Sequence, residues 1–228
     1  MRQPAVALAV ALICAVASGC ATTGGRAVMP SAITSMIPRP LVERELPGLL
    51  LTVEQVNAAM GATAMAVTNT ETSMSDNSAT MAPPECLPLD GAAEAAVYAN
   101  SGFQAELDQS FNDGDQFTHY LKQAVVLFSL VDTAAAFVND SALRWRACQQ
   151  YTHLQSNSQW SVGPIEYADG TLSTTVTELN AAAPGWGCGR AMSLKNNVVI
   201  DINTCSANPA DSALKIANQI AQNVAARW

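Results

Sequence analysis

The sequence predicts an α+β domain built on an antiparallel sheet with packed helices and two disulfides. Three observations point there. Alternating apolar–polar runs come in neighbouring pairs joined by short turns, and strands rarely alternate singly with helices. Helical spacing of apolar residues recurs near 132–147 and again after Asn208, which supplies faces to lay on a sheet. Of the six cysteines, Cys86, Cys148, Cys188 and Cys205 remain once the N-terminal Cys14 and Cys20 are set aside.

The N-terminus comes first. Residues 1–19 carry an early Arg2, an apolar run and then small residues, the pattern of an export leader. The run is too short and too soon followed by polar sequence for a spanning helix. Ala17-Ser18-Gly19-Cys20 resembles a bacterial lipobox, which makes Cys20 the lipidation site, although Leu is usual where Ala17 stands. Two acyl chains would anchor the protein stably to a membrane. Residues 20–45 mix Gly, Thr, Ser and Pro without a period and read as a lipidated tether, leaving 46–228 as one domain with one core.

Within that domain Thr52-Val-Glu-Gln55 fits a capping box and Gly61 a C-terminal stop, so a helix is expected over 53–60. A strand over 62–72 and a loop over 73–84 follow. Asp90 to Ala99 is alanine-rich and reads as a short helix. Phe103, Ala105, Leu107, Gln109 and Phe111 alternate with polar residues, the mark of a half-buried strand. Asn112 to Asp115 turns the chain into a second strand, 117–128. A three-residue loop would set Phe111 opposite Phe117 and Leu107 opposite Leu121, keeping the apolar residues in phase.

Asp132 is a candidate cap for a helix whose inner face holds Ala134, Phe137, Val138, Ser141 and Trp145. Strands near 150–155, 158–167 and 171–179 come next, with Pro164 implying an edge or a bulge. Val198, Val199, Ile200 and Ile202 are strand formers, and Asn196-Asn197 suits a two-residue hairpin turn. With that turn Lys195 faces Val198, and counting outward places Cys188 directly opposite Cys205 on a non-hydrogen-bonded pair. Such pairs hold Cα atoms about 4.5 Å apart, within disulfide range. Cys86–Cys148 then follows by elimination. Pro209 starts the last helix, with Ala217, Ile220, Ala221, Val224 and Trp228 as its buried stripe. No tandem repeat is present.

The formal net charge of −8 becomes −9 when Arg2 leaves with the leader. Such a surface attracts neither nucleic acid nor anionic headgroups. Catalytic and metal motifs are absent from the sequence: no Gly-x-Ser-x-Gly elbow, no His-Glu-x-x-His, no phosphate loop. No catalytic residue, metal ligand or cofactor is therefore assigned. His119 shares a strand face with Phe117 and Leu121 and reads as a satisfied, partly buried side chain. His153 has no acid nearby in sequence. Asn112 to Asp115 lacks the oxygens of a calcium loop and reads as a turn, as do Glu166 and Asp169. Trp145 and Trp228 read as core. Trp160 and Trp186 are candidates for lining a ligand cleft, though Trp186 equally suits packing over the disulfide. Arg190 lies diagonal to Asp201, as an internal ion pair or as an anion contact for a ligand.

Trp145 with Cys148, Trp160-Ser-Val-Gly163, Asp169-Gly-Thr-Leu172, Trp186 with Cys188 and Arg190-Ala191, Asn197 to Asp201, and Cys205 stand together in order and spacing. In these the chain from about Leu49 onward resembles the PknH-type extracellular sensor domain family, including the stand-alone actinobacterial lipoproteins that carry that domain. The resemblance implies a twisted antiparallel sheet with helices on it, the disulfides 86–148 and 188–205, and a ligand cleft. No kinase domain or spanning helix is expected after the leader. The reading is a non-enzymatic, lipid-anchored domain on the outer face of the cell membrane. It would bind a small molecule, a lipid or glycan, or an envelope partner, with Trp160, Trp186 and Arg190 as candidate contacts. The rivals are an envelope hydrolase with an unrecognised site and a structural interaction protein.

Overall fold

The computed structural model describes residues 38–227; the expected leader, Cys20, most of the tether and Trp228 lie outside the described residues. Folded structure begins earlier than residue 46. Leu41 is buried in the core, and a three-ten helix spans Glu43–Gly48 with Leu46 buried. The side chain of Asn197 fixes this entry, accepting from Leu41 N at 2.8 Å and donating to Leu41 O at 3.1 Å.

Helix α1 (Val53–Met60) matches its local signals. Thr52 Oγ1 accepts from Gln55 N, Gln55 Oε1 accepts from Thr52 N, and Gly61 closes the helix at φ 66°. The strands are β1 (Ala66–Glu71), β2 (Met81–Ala82), β3 (Phe103–Asn112), β4 (His119–Phe128), β5 (Gln150–His153), β6 (Gln159–Val162), β7 (Glu166–Ala168), β8 (Thr171–Leu179), β9 (Trp186–Lys195) and β10 (Val198–Ala207). They form one antiparallel sheet in the order β1-β3-β4-β10-β9-β8-β6-β5-β2, with β7 paired to β8. Gly163–Ile165 separate β6 from β7, so Pro164 interrupts the expected strand 158–167.

The β9–β10 hairpin has the expected register. Lys195 pairs with Val198 and Cys188 with Cys205, whose Cα atoms are 4.0 Å apart across a disulfide. The second disulfide joins Cys86 to Cys148. The β3–β4 hairpin differs. Phe111 pairs with Leu121 and Leu107 with Val125, a slip of four residues from a three-residue loop. The cause is Asp113, whose carboxylate accepts from Thr118 N at 2.7 Å and His119 N at 3.1 Å and so holds open a longer loop. Phe117 leaves the strand and stands 43% exposed.

Both faces of the sheet are covered, which corrects the half-buried reading of β3. On one face Leu107, Phe111, Leu121, Val125, Ile200 and Ile202 pack under α1 and α5 (Ser212–Ala225). On the other, Val126, Phe128, Val199 and Met192 pack under α4 (Val131–Trp145) and the short helices α2 (Leu87–Asp90) and α3 (Ala95–Tyr98). Strands β4 and β10 are accordingly buried almost end to end, as strands between two helical layers are. Asp132 sits in the first turn of α4 and not at its cap, which Leu130 occupies. Pro209 lies in the turn before α5, which begins at Ser212.

Candidate functional site

The expected helix over Asp90–Ala99 is interrupted, and its interruption builds a cleft. Between α2 and α3 the segment Asp90–Glu94 is drawn across the second face by its own polar groups. Asp90 Oδ1 meets His153 Nε2 at 2.6 Å. Ala93 N donates to Asp201 Oδ2 at 3.0 Å. The Glu94 carboxylate accepts from Asn77 N at 3.0 Å and from Asn77 Nδ2 at 2.7 Å. Asn203 Nδ2 donates to Asp90 O at 3.1 Å. Ala93 is fully buried at φ 53°, a conformation costing an alanine about 1–2 kcal/mol. Such strain persists where surrounding contacts over-determine it.

Beside this strap lies a cleft of about 490 Å³. Its floor is the Cys188–Cys205 end of the β9–β10 hairpin with Tyr120, Lys122 and Asn203; its far wall is aromatic, with Tyr151, Trp160, Trp186 and Phe117. Tyr151 and Trp160 stack at 6.0 Å with planes 4° apart, while Phe117 stands 6.2 Å from Trp186. Lys122 Nζ donates to Ser75 Oγ at 3.1 Å and pairs with Asp108 at 3.1 Å. Behind it both oxygens of Glu106 are buried without a hydrogen-bond partner among the described residues.

The charges follow from this placement. Burial pushes the Glu106 carboxyl up to about 7, with Asp108 adding to it. Burial likewise raises Asp108 and Glu94, against Lys122 and Asn77 respectively. Lys122 opposes its own burial through Asp108, and its ammonium is held above the usual range. The hydrogen bond to Asp90 raises His153 despite desolvation. The cleft thus offers charged and neutral donors, carboxylate acceptors and aromatic surface within one concavity.

Trp160 and Trp186 both line the cleft. Arg190 does not serve as one. It is 1% exposed; it donates to Pro88 O at 2.9 Å, to Ile202 O and to Asp201 Oδ1 at 2.8 Å, and its guanidinium lies 5.3 Å from the Trp145 ring centroid. It is buried in an internal ion pair with Asp201 and does not line this cleft. His119 meets Asp113 at 2.8 Å but lies outside the cleft. Asp90, His153, Tyr151, Lys122 and Asn203 were not legible as site residues, because they come from four separate elements with no local motif. The one signal was Asp90 beside Gly91, where a helix could break.

The family model for the PknH-like extracellular domain matches residues 41–223. The chain belongs to the PknH-like extracellular domain family. It is 35% identical over 192 residues to the serine/threonine-protein kinase PknH of Mycobacterium bovis, covering 82% of this chain and 32% of the kinase. The same identity and share of this chain hold for PknH of Mycobacterium tuberculosis, of which 30% is covered. The chain therefore spans about a third of the length of these curated relatives. The crystal structure of the extracellular domain of PknH from Mycobacterium tuberculosis superposes with a TM-score of 0.78 at 33% identity, covering 83% of this chain and 99% of that one. That relative was crystallised as a separate domain, so the PknH-like fold stands by itself. Among the described residues no helix is long and apolar enough to cross a membrane. An extracytoplasmic placement follows from the family.

Proposed function

We propose that this chain is a lipid-anchored envelope recognition protein whose PknH-like domain binds a ligand in the cleft beside the Cys188–Cys205 disulfide. The observation that carries the reading is the cleft itself. Its volume of about 490 Å³ falls in the range of small-molecule sites, roughly 300–1,000 Å³, and mixes apolar wall with a few placed polar groups as such sites do. Export, the lipobox-like Ala17–Cys20 and an acidic surface support a domain held near the membrane by acyl chains while its surface stays off the headgroups. Recognition is preferred to turnover because the cleft's imidazole is committed to Asp90 and its Glu94 carboxylate to Asn77.

One observation favours the hydrolase reading: Asp90–His153 is an acid–imidazole pair inside the cleft. A single experiment separates the two. The oxidised domain is incubated with an envelope extract and examined by native mass spectrometry, alongside Trp186→Ala and Asn203→Leu. Recognition predicts a discrete adduct of intact ligand that both variants weaken. Ligand recovered in fragments with wild type but intact with His153→Gln supports hydrolysis. An adduct indifferent to both cleft variants refutes the site.

A further inference from the structure

A second concavity adjoins the cleft. A groove of about 400 Å³ runs from Phe117 and Trp186 over Ala181, Ala182, Ala183 and Ala207. Phe117 and Trp186 belong to both concavities, so the two meet at this aromatic pair. Their chemistry differs sharply. Among the described residues the groove's only polar side chains besides the Trp186 indole are Thr118 and Glu178, and the Thr118 hydroxyl is already donated to Asp113 at 2.7 Å. A second sugar ring or a peptide would find almost nothing to hydrogen-bond there, and its polar groups would lose water without replacement. A hydrocarbon chain loses nothing of the kind and gains from each methylene covered. Phe117, an aromatic ring 43% exposed at the junction, is explained by the same occupant: it is the apolar shoulder over which a chain leaves a polar chamber.

We infer that the ligand is a single-chain amphiphile, its polar head in the cleft and its hydrocarbon chain in the alanine-lined groove. This rests on the cleft being a binding site and adds the class of molecule it takes. The donors of Lys122, Asn77 and Asn203 together with the carboxylates of Asp90 and Glu94 surround the head. The Phe117–Trp186 pair covers the first carbons, and Ala181 to Ala183 with Ala207 the rest. Alanines suit this role because their small side chains leave the groove open.

The test uses the oxidised domain from residue 38 onward, titrated below micelle concentration with alkyl glucosides, alkyl sulfates and alkyl phosphocholines of six to nine carbons. Amide chemical shifts locate each part. With the preferred head, affinity rises about three- to fourfold per added methylene, cleft amides at Asn77, Lys122 and Asn203 move with every member, and amides at Ala181–Ala183 and Ala207 move further as the chain lengthens. Ala182→Asp or Ala207→Asp, both at exposed positions, abolishes the chain-length dependence. No dependence on chain length with any of the three heads overturns the inference, and so does a dependence that survives both aspartates. Groove shifts without cleft shifts leave the chain site standing and refute the cleft reading instead.

Discussion

Replacing Asp201 by asparagine removes one buried charge with almost no change of shape. Asp201 is 1% exposed and receives three donors: Arg190 at 2.8 Å on Oδ1, and Ala93 N and the Tyr98 hydroxyl, both at 3.0 Å, on Oδ2. An asparagine has one acceptor oxygen. If its NH₂ points to Arg190, two groups of donors meet; if it points to Ala93 and Tyr98, both lose their acceptor. Either way Arg190 keeps a full charge in the core with only carbonyls for company. Breaking a buried pair in this manner costs about 3–5 kcal/mol. With a urea slope of about 2 kcal/mol/M for a domain of this size, the unfolding midpoint falls by roughly 2 M. Asp211→Asn is the control, since its pair with Lys215 is more than half exposed on both sides and such pairs are worth about 0–1 kcal/mol. Urea unfolding of the oxidised domain, followed by tryptophan fluorescence, reads both. A fall at Asp201→Asn no larger than at Asp211→Asn would refute the account of Arg190 as a structural cation.

The two disulfides differ in the loops they close, 62 residues of separation against 17; chain entropy gives about 4 and about 3 kcal/mol, so the Cys86→Ser/Cys148→Ser pair lowers the urea midpoint more than Cys188→Ser/Cys205→Ser. His153 gains its partner on folding, so its stabilisation is fully present below about pH 6.5 and fades as pH rises through the raised folded value. The stability gap between wild type and His153→Gln should therefore narrow from pH 6 upward, and an NMR titration of His153 should give a midpoint above about 6.5. Glu106 is an acid raised to about 7, so the folded state holds its proton longer than the unfolded one and stability declines from about pH 4.5 to beyond 7. Glu106→Gln removes that decline; equal pH dependence of wild type and variant would contradict it.

What the sequence made legible was local or was fixed by parity. Helix α1 is specified by Thr52 and Gln55, which bond one another, and by Gly61, which closes it. The β9–β10 register follows from a two-residue turn, with Asn196 at φ 53°, and is closed by the cysteines at its far end. The β3–β4 pairing shows the limit of the method. An alternating pattern settles which faces match, and the observed loop keeps that phase, but period two cannot tell a three-residue loop from a longer odd one. The choice fell to the Asp113 carboxylate. Glu106, Asp108 and Lys122 look like a solvent face in sequence and are buried, because the second helical layer that covers them comes from distant segments. The cleft is hidden for the same reason: Asp90, Lys122, His153 and Asn203 converge only through the sheet order.

The central claim is that this face of the PknH-like domain is where a ligand sits. Hydrogen exchange of the oxidised domain, with and without the molecule captured from an envelope extract, tests it most directly. The account predicts slowed exchange in 90–94, 120–122, 151–155 and 186–188, the segments that form the strap, the floor and the aromatic wall, with the surfaces of α1 and α5 unchanged. Protection confined to α1 and α5, with the strap exchanging as fast as in the free protein, would contradict it.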